Sequence, residues 1–298
     1  MTSRQGSRSE RLVQYAPPEL FFVISAIAQY LGAVIAIELF VDLAPATVAW
    51  LRVLFAGIII MAFQWKHLRP RWTRSEIQVA ALFGITTALM NMFFYMAIDR
   101  LPLGKGVTIE FIGPIAVAAI QTRTARNTVA LMLAAIGVIV LGGVEIGNEP
   151  LGLLFILLAS LFWAGYIVIG SRVALAHRGI AGLGIGLLIG GLVITPFASG
   201  SASTAFTTPH LLLGCALVGL LANAIGYGID QVTMRRIPIR RFSLMAALLP
   251  VVAGLVGFIF LDQTPTLIDL LGMSLVLIGV ASQERERIER HQPEAQTT

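Results

Sequence analysis

Charge is scarce in this chain. Only 12% of its 298 residues are Asp, Glu, Lys or Arg, and 57% are hydrophobic. That is about half the charged share of a soluble domain, which excludes a water-facing surface over most of the chain. Cysteine occurs once, at Cys215, so an intrachain disulfide and a cysteine metal cluster are excluded. Cys215 lies inside an apolar run and reads as a small buried filler. The four histidines, His67, His177, His210 and His291, are scattered over loops, segment ends and the tail, with no His/Glu pair at metal-ligand spacing. Neither a Gly-x4-Gly-Lys-Ser/Thr phosphate loop nor a Gly-x-Ser-x-Gly nucleophile elbow occurs. No cofactor, no metal and no enzymatic chemistry are therefore expected, and any work must draw on ion or substrate gradients. The net charge of +5 does not indicate nucleic acid, because the basic residues flank apolar runs instead of forming one face.

What the sequence has in abundance is long apolar runs. A membrane-spanning helix needs about 20 apolar residues, and ten segments qualify: 20–40, 45–64, 77–98, 103–121, 128–145, 151–171, 180–198, 210–229, 239–260 and 265–282. The runs are continuous, without strand-like alternation. The first is too long for a signal-peptide core and is not followed by a small-residue cleavage pattern, so it reads as a retained helix. Eighteen of the 21 Lys and Arg residues fall on one side of this arrangement. They lie in the N-terminal segment (Arg4, Arg8, Arg11), the second loop (Lys66, Arg69, Arg71, Arg74), the fourth (Arg123, Arg126), the sixth (Arg172, Arg178), the eighth (Arg235, Arg236, Arg240, Arg241) and the tail (Arg285, Arg287, Arg290). Only Arg100 and Lys105 fall on the other side, and Arg52 lies within a span. The positive-inside rule then places both termini of a multi-pass membrane protein in the cytoplasm.

The two halves of the chain resemble each other. Asn91-x3-Tyr95 returns as Asn223-x3-Tyr227, and Pro102-x11-Pro114 as Pro238-x11-Pro250. The first pair is offset by 132 residues and the second by 136, so a four-residue insertion is expected between Tyr227 and Pro238. Ala26, Tyr30 and Gly32 likewise match Ala159, Trp163 and Gly165. The fold class expected is thus all-α, ten transmembrane helices as two inverted five-helix repeats. The parts are a cytoplasmic segment 1–19, a first repeat 20–147, a second repeat 148–282, and a charged tail 283–298 in which Glu286 and Arg290 have helical i, i+4 spacing. Five is an odd number, so the second copy enters from the opposite side, a recurrent transporter design.

These spans, the repeat and the Pro-x11-Pro signature resemble the drug/metabolite transporter superfamily in its EamA-like branch. Leu101-Pro102-Leu103-Gly104 and Ile109-Glu110-Phe111-Ile112-Gly113-Pro114-Ile115-Ala116-Val117-Ala118 are similar to the corresponding segment of the threonine/homoserine exporter group. Arg52 in Ala49-Trp50-Leu51-Arg52 matches a basic residue of that group's second helix. One position departs: where the group carries a glutamate before the second-half proline, this chain has Leu249. The resemblance implies secondary export of small polar metabolites, most directly amino acids, across the inner membrane, with protons as the candidate coupling ion. Efflux of drugs or other metabolites by the same fold is the alternative; a channel or an intramembrane enzyme would be a different class.

Charges at membrane depth are costly and seldom face lipid. Arg52 and Glu110 are the clearest, each about 7 residues, or roughly 10 Å, into a span from the external side. They are expected to face one central cavity, where Glu110 binds a substrate ammonium or exchanges a proton. A plain Arg–Glu pair locking the fold is the competing reading. Asn91, Tyr95, Asn223 and Tyr227 are expected to line the same cavity with uncharged polar groups, against simple interhelical hydrogen bonding. Tyr30 and Trp163 are aromatic repeat partners suited to lining, gating or packing. Pro114 and Pro250 each remove a backbone hydrogen bond within a span and are candidate hinges. Gly182, Gly186 and Gly190 have small-xxx-small spacing for close helix approach. Glu38, Asp42, Asp99, Asp230, Asp262 and Asp269 lie near span ends and read as interface residues.

Overall fold

In hydrocarbon an open backbone group costs several kcal/mol, so a chain this apolar must satisfy its amides within helices. The computed structural model describes residues 17–65, 72–120, 124–176 and 179–282, and every regular element among them is helical. Most of the N-terminal segment with Arg4, Arg8 and Arg11, residues Lys66, His67, Arg69, Arg71, Arg123, His177 and Arg178, and the tail with Arg285 to His291 lie outside the described residues. The elements are α1 (Pro18–Leu39), α2 (Pro45–Phe63), α3 (Arg74–Ile98), α4 (Leu103–Glu110), α5 (Ile112–Ile120), α6 (Ala125–Asn148) and α7 (Pro150–Leu175). There follow α8 (Gly179–Ala198), α9 (Ala202–Thr207) and α10 (Pro209–Val218), a π-helical segment (Gly219–Tyr227) and α11 (Gly228–Met234). The chain closes with α12 (Ile239–Met245), a 3-10 turn (Ala246–Leu248), α13 (Leu249–Leu261) and α14 (Leu267–Ala281).

Among the described residues, six helices are long and apolar enough to cross a membrane: Leu20–Leu39, Pro45–Phe63, Arg74–Ile98, Pro150–Leu175, Gly179–Ala198 and Pro209–Met234. The last joins α10, the π-helical segment and α11 into one rod. Proline opens several helices, in the first turn of α1, α2, α7 and α10, where its missing N–H is no loss. A capping box starts α3: the Glu76 amide donates to Thr73 Oγ1 at 3.2 Å, and the Thr73 amide to Glu76 Oε2 at 2.8 Å.

Two of the expected spans are broken instead of continuous. The 103–121 run is α4 and α5, meeting at Phe111, and the 239–260 run is α12, the 3-10 turn and α13. The cause is local. Pro114 cannot donate to the carbonyl four residues back, that of Glu110, and α4 ends at Glu110. Pro250 stands in the same relation to Ala246, where α12 gives way to the 3-10 turn.

The insertion expected between Tyr227 and Pro238 is not present. Ile98 and Met234, which end α3 and α11, lie 136 apart, as do Leu103 and Ile239, which open the next helices. The connections are therefore equal in length. The close crossings add a second register mark. A Cβ on Gly84 would sit 1.7 Å from the Gly186 carbonyl oxygen, and one on Gly219 would sit 2.5 Å from that of Arg52. Gly84 and Gly219 lie 135 apart. The step from 135 to 136 falls within the π-helical segment, as one inserted residue does in a π-bulge.

α3 runs along both α7 and α8, while α1 and α2 run along the π-helical segment; α2 also packs on α8, α4 on α13, α5 on α7, α13 on α1 and α6 on α14. At one end of the molecule the first and seventh connections meet: Thr47 Oγ1 donates to the Ala198 carbonyl at 2.7 Å, and the Ala44 amide to Ser201 Oγ at 2.9 Å. The third, fifth and ninth connections also contact one another, through Arg100–Glu149 at 3.8 Å and the Leu103 amide donating to Gln263 Oε1 at 2.8 Å. Asp269, at the start of α14, pairs with Lys105 at 3.4 Å. Residues beside the fourth and eighth connections meet the two ends of the described chain instead. Arg126 Nε donates to the Ser282 carbonyl at 2.8 Å, and the Arg236 guanidinium lies 5.2 Å from the Phe21 ring centre.

Candidate functional site

Arg52 sits on α2 and is only 4% exposed. Its guanidinium donates to Asn91 Oδ1 on α3 and lies 4.1 Å from the Tyr95 ring centre, one turn further along the same helix. The Asn91 amide is engaged through both its oxygen and its nitrogen. Its Nδ2 donates to the Thr87 carbonyl at 2.6 Å, while its Oδ1 also accepts from the Tyr227 hydroxyl at 3.1 Å. Arg52 Nε has no hydrogen-bond partner. Glu110 ends α4 at the proline break and is 7% exposed, yet makes no hydrogen bond or ion pair with any described residue. Arg52 and Glu110 therefore do not form the pair that would simply lock the fold.

Both charges open on one cavity. Six of the eight residues expected to line it do so: Glu110, Arg52, Asn91, Tyr227, Tyr30 and Trp163. Two do not. Tyr95 is fully buried beneath Arg52, serving as the ring on which the guanidinium rests, and its hydroxyl lacks a hydrogen-bond partner. Asn223 is fully buried with neither amide atom partnered. Its helix meets α2 through the Gly219 crossing, and Asn223 does not reach the cavity. Pro114 and Pro250 do not line it either; they set the two breaks, and Leu249, beside Pro250, adds an apolar wall.

Asp230 is the largest correction. Read as an interface residue, it is 5% exposed and lines the cavity, because the rod carrying it continues to Met234 instead of ending near 229. It contacts Ser25 and Gln29 of α1 and Tyr166 of α7. Tyr166 and Gln29 also line the cavity, and sequence reasoning missed both. A span drawn one turn longer would have exposed Asp230 as a charge at membrane depth. Asp269, another presumed interface residue, is buried and paired with Lys105. Gly186 and Gly190 do mediate close approach, since a Cβ on either would meet a carbonyl oxygen of α3 at 2.5 and 2.1 Å. Cys215 is buried and free, and no group of three or more His, Cys, Asp or Glu able to hold a metal occurs among the described residues.

Comparison with known proteins gives a consistent result. Residues 150–282 match the EamA-like transporter family. The chain is 32% identical over 250 residues to the threonine/homoserine exporter RhtA of Escherichia coli K12, covering 83% of this chain and 84% of that one. It is 31% identical over 264 residues to RhtA of Salmonella typhimurium, covering 87% and 88%. The uncharacterized inner membrane transporter YedA of Escherichia coli K12 is 24% identical, covering 79% and 80%. A protein of known crystal structure superposes with a TM-score of 0.60 at 17% identity, covering 93% of this chain and 97% of that one, which shows a shared fold.

Proposed function

This chain belongs to the EamA-like transporter family, and from that premise we propose that it exports small polar metabolites, foremost amino acids of the threonine and homoserine kind, by alternating access. The observation that carries the substrate class is the placement of Arg52 and Glu110 around one cavity without engaging each other. An α-amino acid is a zwitterion. Its carboxylate suits the planar fork of a guanidinium, and its ammonium suits an unpartnered carboxylate. Asn91 Oδ1 accepts from Arg52 and from Tyr227 and so fixes the guanidinium, while Leu249 adds an apolar wall. The name shared by the RhtA relatives agrees with this class.

Alternating access draws support from the way packing partners exchange between the halves. α1 lies on the π-helical segment as α7 lies on α3, and α13 lies on α1 as α5 lies on α7. The pairs α2–α8, α4–α13 and α6–α14 are their own counterparts. Two copies related in this way, with ten crossings in all, have two near-equivalent packings, each opening the cavity to one side. The contact of the first with the seventh connection, of the third with the fifth and ninth, and of the fourth and eighth with the two ends of the described chain fits an even number of crossings with cytoplasmic termini.

Reconstituted in liposomes, the protein is expected to exchange external labelled threonine or homoserine for the same amino acid trapped inside, at a rate that saturates. Glu110→Gln should weaken half-saturation about tenfold, the loss of roughly 1.4 kcal/mol of charge-assisted binding. A flux that rises without saturating would mark a channel, and no flux across an amino-acid panel would overturn the substrate class.

A further inference from the structure

The cavity holds a third ionisable group that binding a zwitterion leaves unused. Asp230 Oδ2 accepts from the Tyr166 hydroxyl at 3.1 Å and from Gln29 Nε2 at 3.4 Å. Its Oδ1 stands 2.7 Å from Ser25 Oγ. Ser25 Oγ in turn stands 2.9 Å from the Gly226 carbonyl oxygen and accepts from Gln29 Nε2 at 2.9 Å.

The hydrogens in this cluster can be counted. A serine hydroxyl has one hydrogen to give, yet Ser25 Oγ lies at bonding distance from two oxygens, Asp230 Oδ1 and the Gly226 carbonyl. With a charged carboxylate, one of these buried contacts has no hydrogen between its oxygens, which is costly. With a neutral carboxyl every contact is filled. Oδ1–H donates to Ser25 Oγ, Ser25 donates to the Gly226 carbonyl, and Oδ2 accepts from Tyr166 and Gln29. The charged and titratable groups around the same cavity are Tyr166 of α7, Tyr30 of α1, Tyr227 of the π-helical segment, Glu110 of α4 and Arg52 of α2. None forms an ion pair with Asp230 among the described residues.

We propose that Asp230 is the proton-carrying group of the transport cycle, served by Ser25 and separate from the residues that hold the amino acid. The inference rests on the transporter reading above. On discharge the proton leaves Oδ1 for a water in the cavity, giving a carboxylate and a hydronium ion. Ser25 then turns its hydrogen to Oδ1 and the Gly226 carbonyl loses its donor. Gly226 lies where α1 presses on the π-helical segment, since a Cβ there would sit 2.5 Å from Gln29 Cγ. Proton loss thus removes a hydrogen bond between two helices of opposite halves, a direct route from protonation to packing.

Two measurements test this. In infrared difference spectra of the purified protein at neutral pH, the carbonyl stretch of a neutral carboxyl should lose a component in Asp230→Asn that Glu110→Gln retains. Identical wild-type and Asp230→Asn spectra in that region overturn the proposal. In liposomes, an imposed pH gradient should drive uphill accumulation of labelled threonine by the wild type, and Asp230→Asn should fall to the level of protein-free liposomes. Wild-type accumulation by Asp230→Asn overturns the proposal, as does accumulation driven by a sodium gradient at equal pH. Should Asp230→Asn not reach the membrane, Ser25→Ala takes its place: loss of uphill accumulation supports the relay, and unchanged accumulation overturns it. If the wild type moves neither threonine nor homoserine, the substrate reading fails, and the infrared result decides Asp230 alone.

Discussion

Arg52 is held from two directions, by a ring below and an amide beside it, and its free side faces the cavity. A charge so deep is tolerated because the Tyr95 face and the Asn91 oxygen replace part of its hydration. Asn91 can serve because Thr87 and Tyr227 orient its amide. The binding geometry depends on the fork as well as the charge. Arg52→Lys keeps the charge but loses the second parallel donor. It is expected to raise the half-saturating threonine concentration about tenfold, near 1.4 kcal/mol, with expression unchanged. Measured counterflow equal to the wild type would remove Arg52 from substrate binding. Arg52 and Glu110 were legible in sequence as charges stranded inside apolar runs. Asp230 was not, because it lies one residue beyond where hydropathy alone ends its span, and its partners Ser25 and Gln29 are more than 200 residues away.

Among the helices, the crossing of α3 and α8 is the tightest. The backbones meet without side chains between them, so a Cβ on Gly84 has no room that a rotamer change could supply. Gly84→Val is expected to force the helices apart and cost about 3 kcal/mol or more, read as a lower unfolding temperature in detergent. Gly106→Ala, where the nearest atom would be Ile98 Cγ2 at 3.4 Å, should leave that temperature unchanged and serves as the control. The proline breaks were readable from spacing, since a proline inside a span always orphans the carbonyl four residues back. The π-helical segment was not. Its one extra residue carries no compositional mark. Asn223 lies in that segment, which faces α2 at the Gly219 crossing, and nothing there answers its amide.

For the whole molecule, orientation is the quantity to measure. With Cys215→Ala as background, Gly200→Cys lies at the end of the molecule shared by the first and seventh connections, and Arg74→Cys in the second connection. Both sites are exposed. An impermeant maleimide added to intact cells should label Gly200→Cys, and should label Arg74→Cys only after the membrane is permeabilised. The reverse pattern would invert the molecule. The sequence alone determined that this chain is apolar enough to live in lipid and that its backbone is helical. These follow from composition, charge placement and local spacing, which act over a few residues at a time. Tertiary structure alone decided which side chains share the cavity. Asp230 meets Ser25 only because helices more than 200 residues apart in sequence pack together, and the angle and register of that crossing come from packing, which no local pattern encodes.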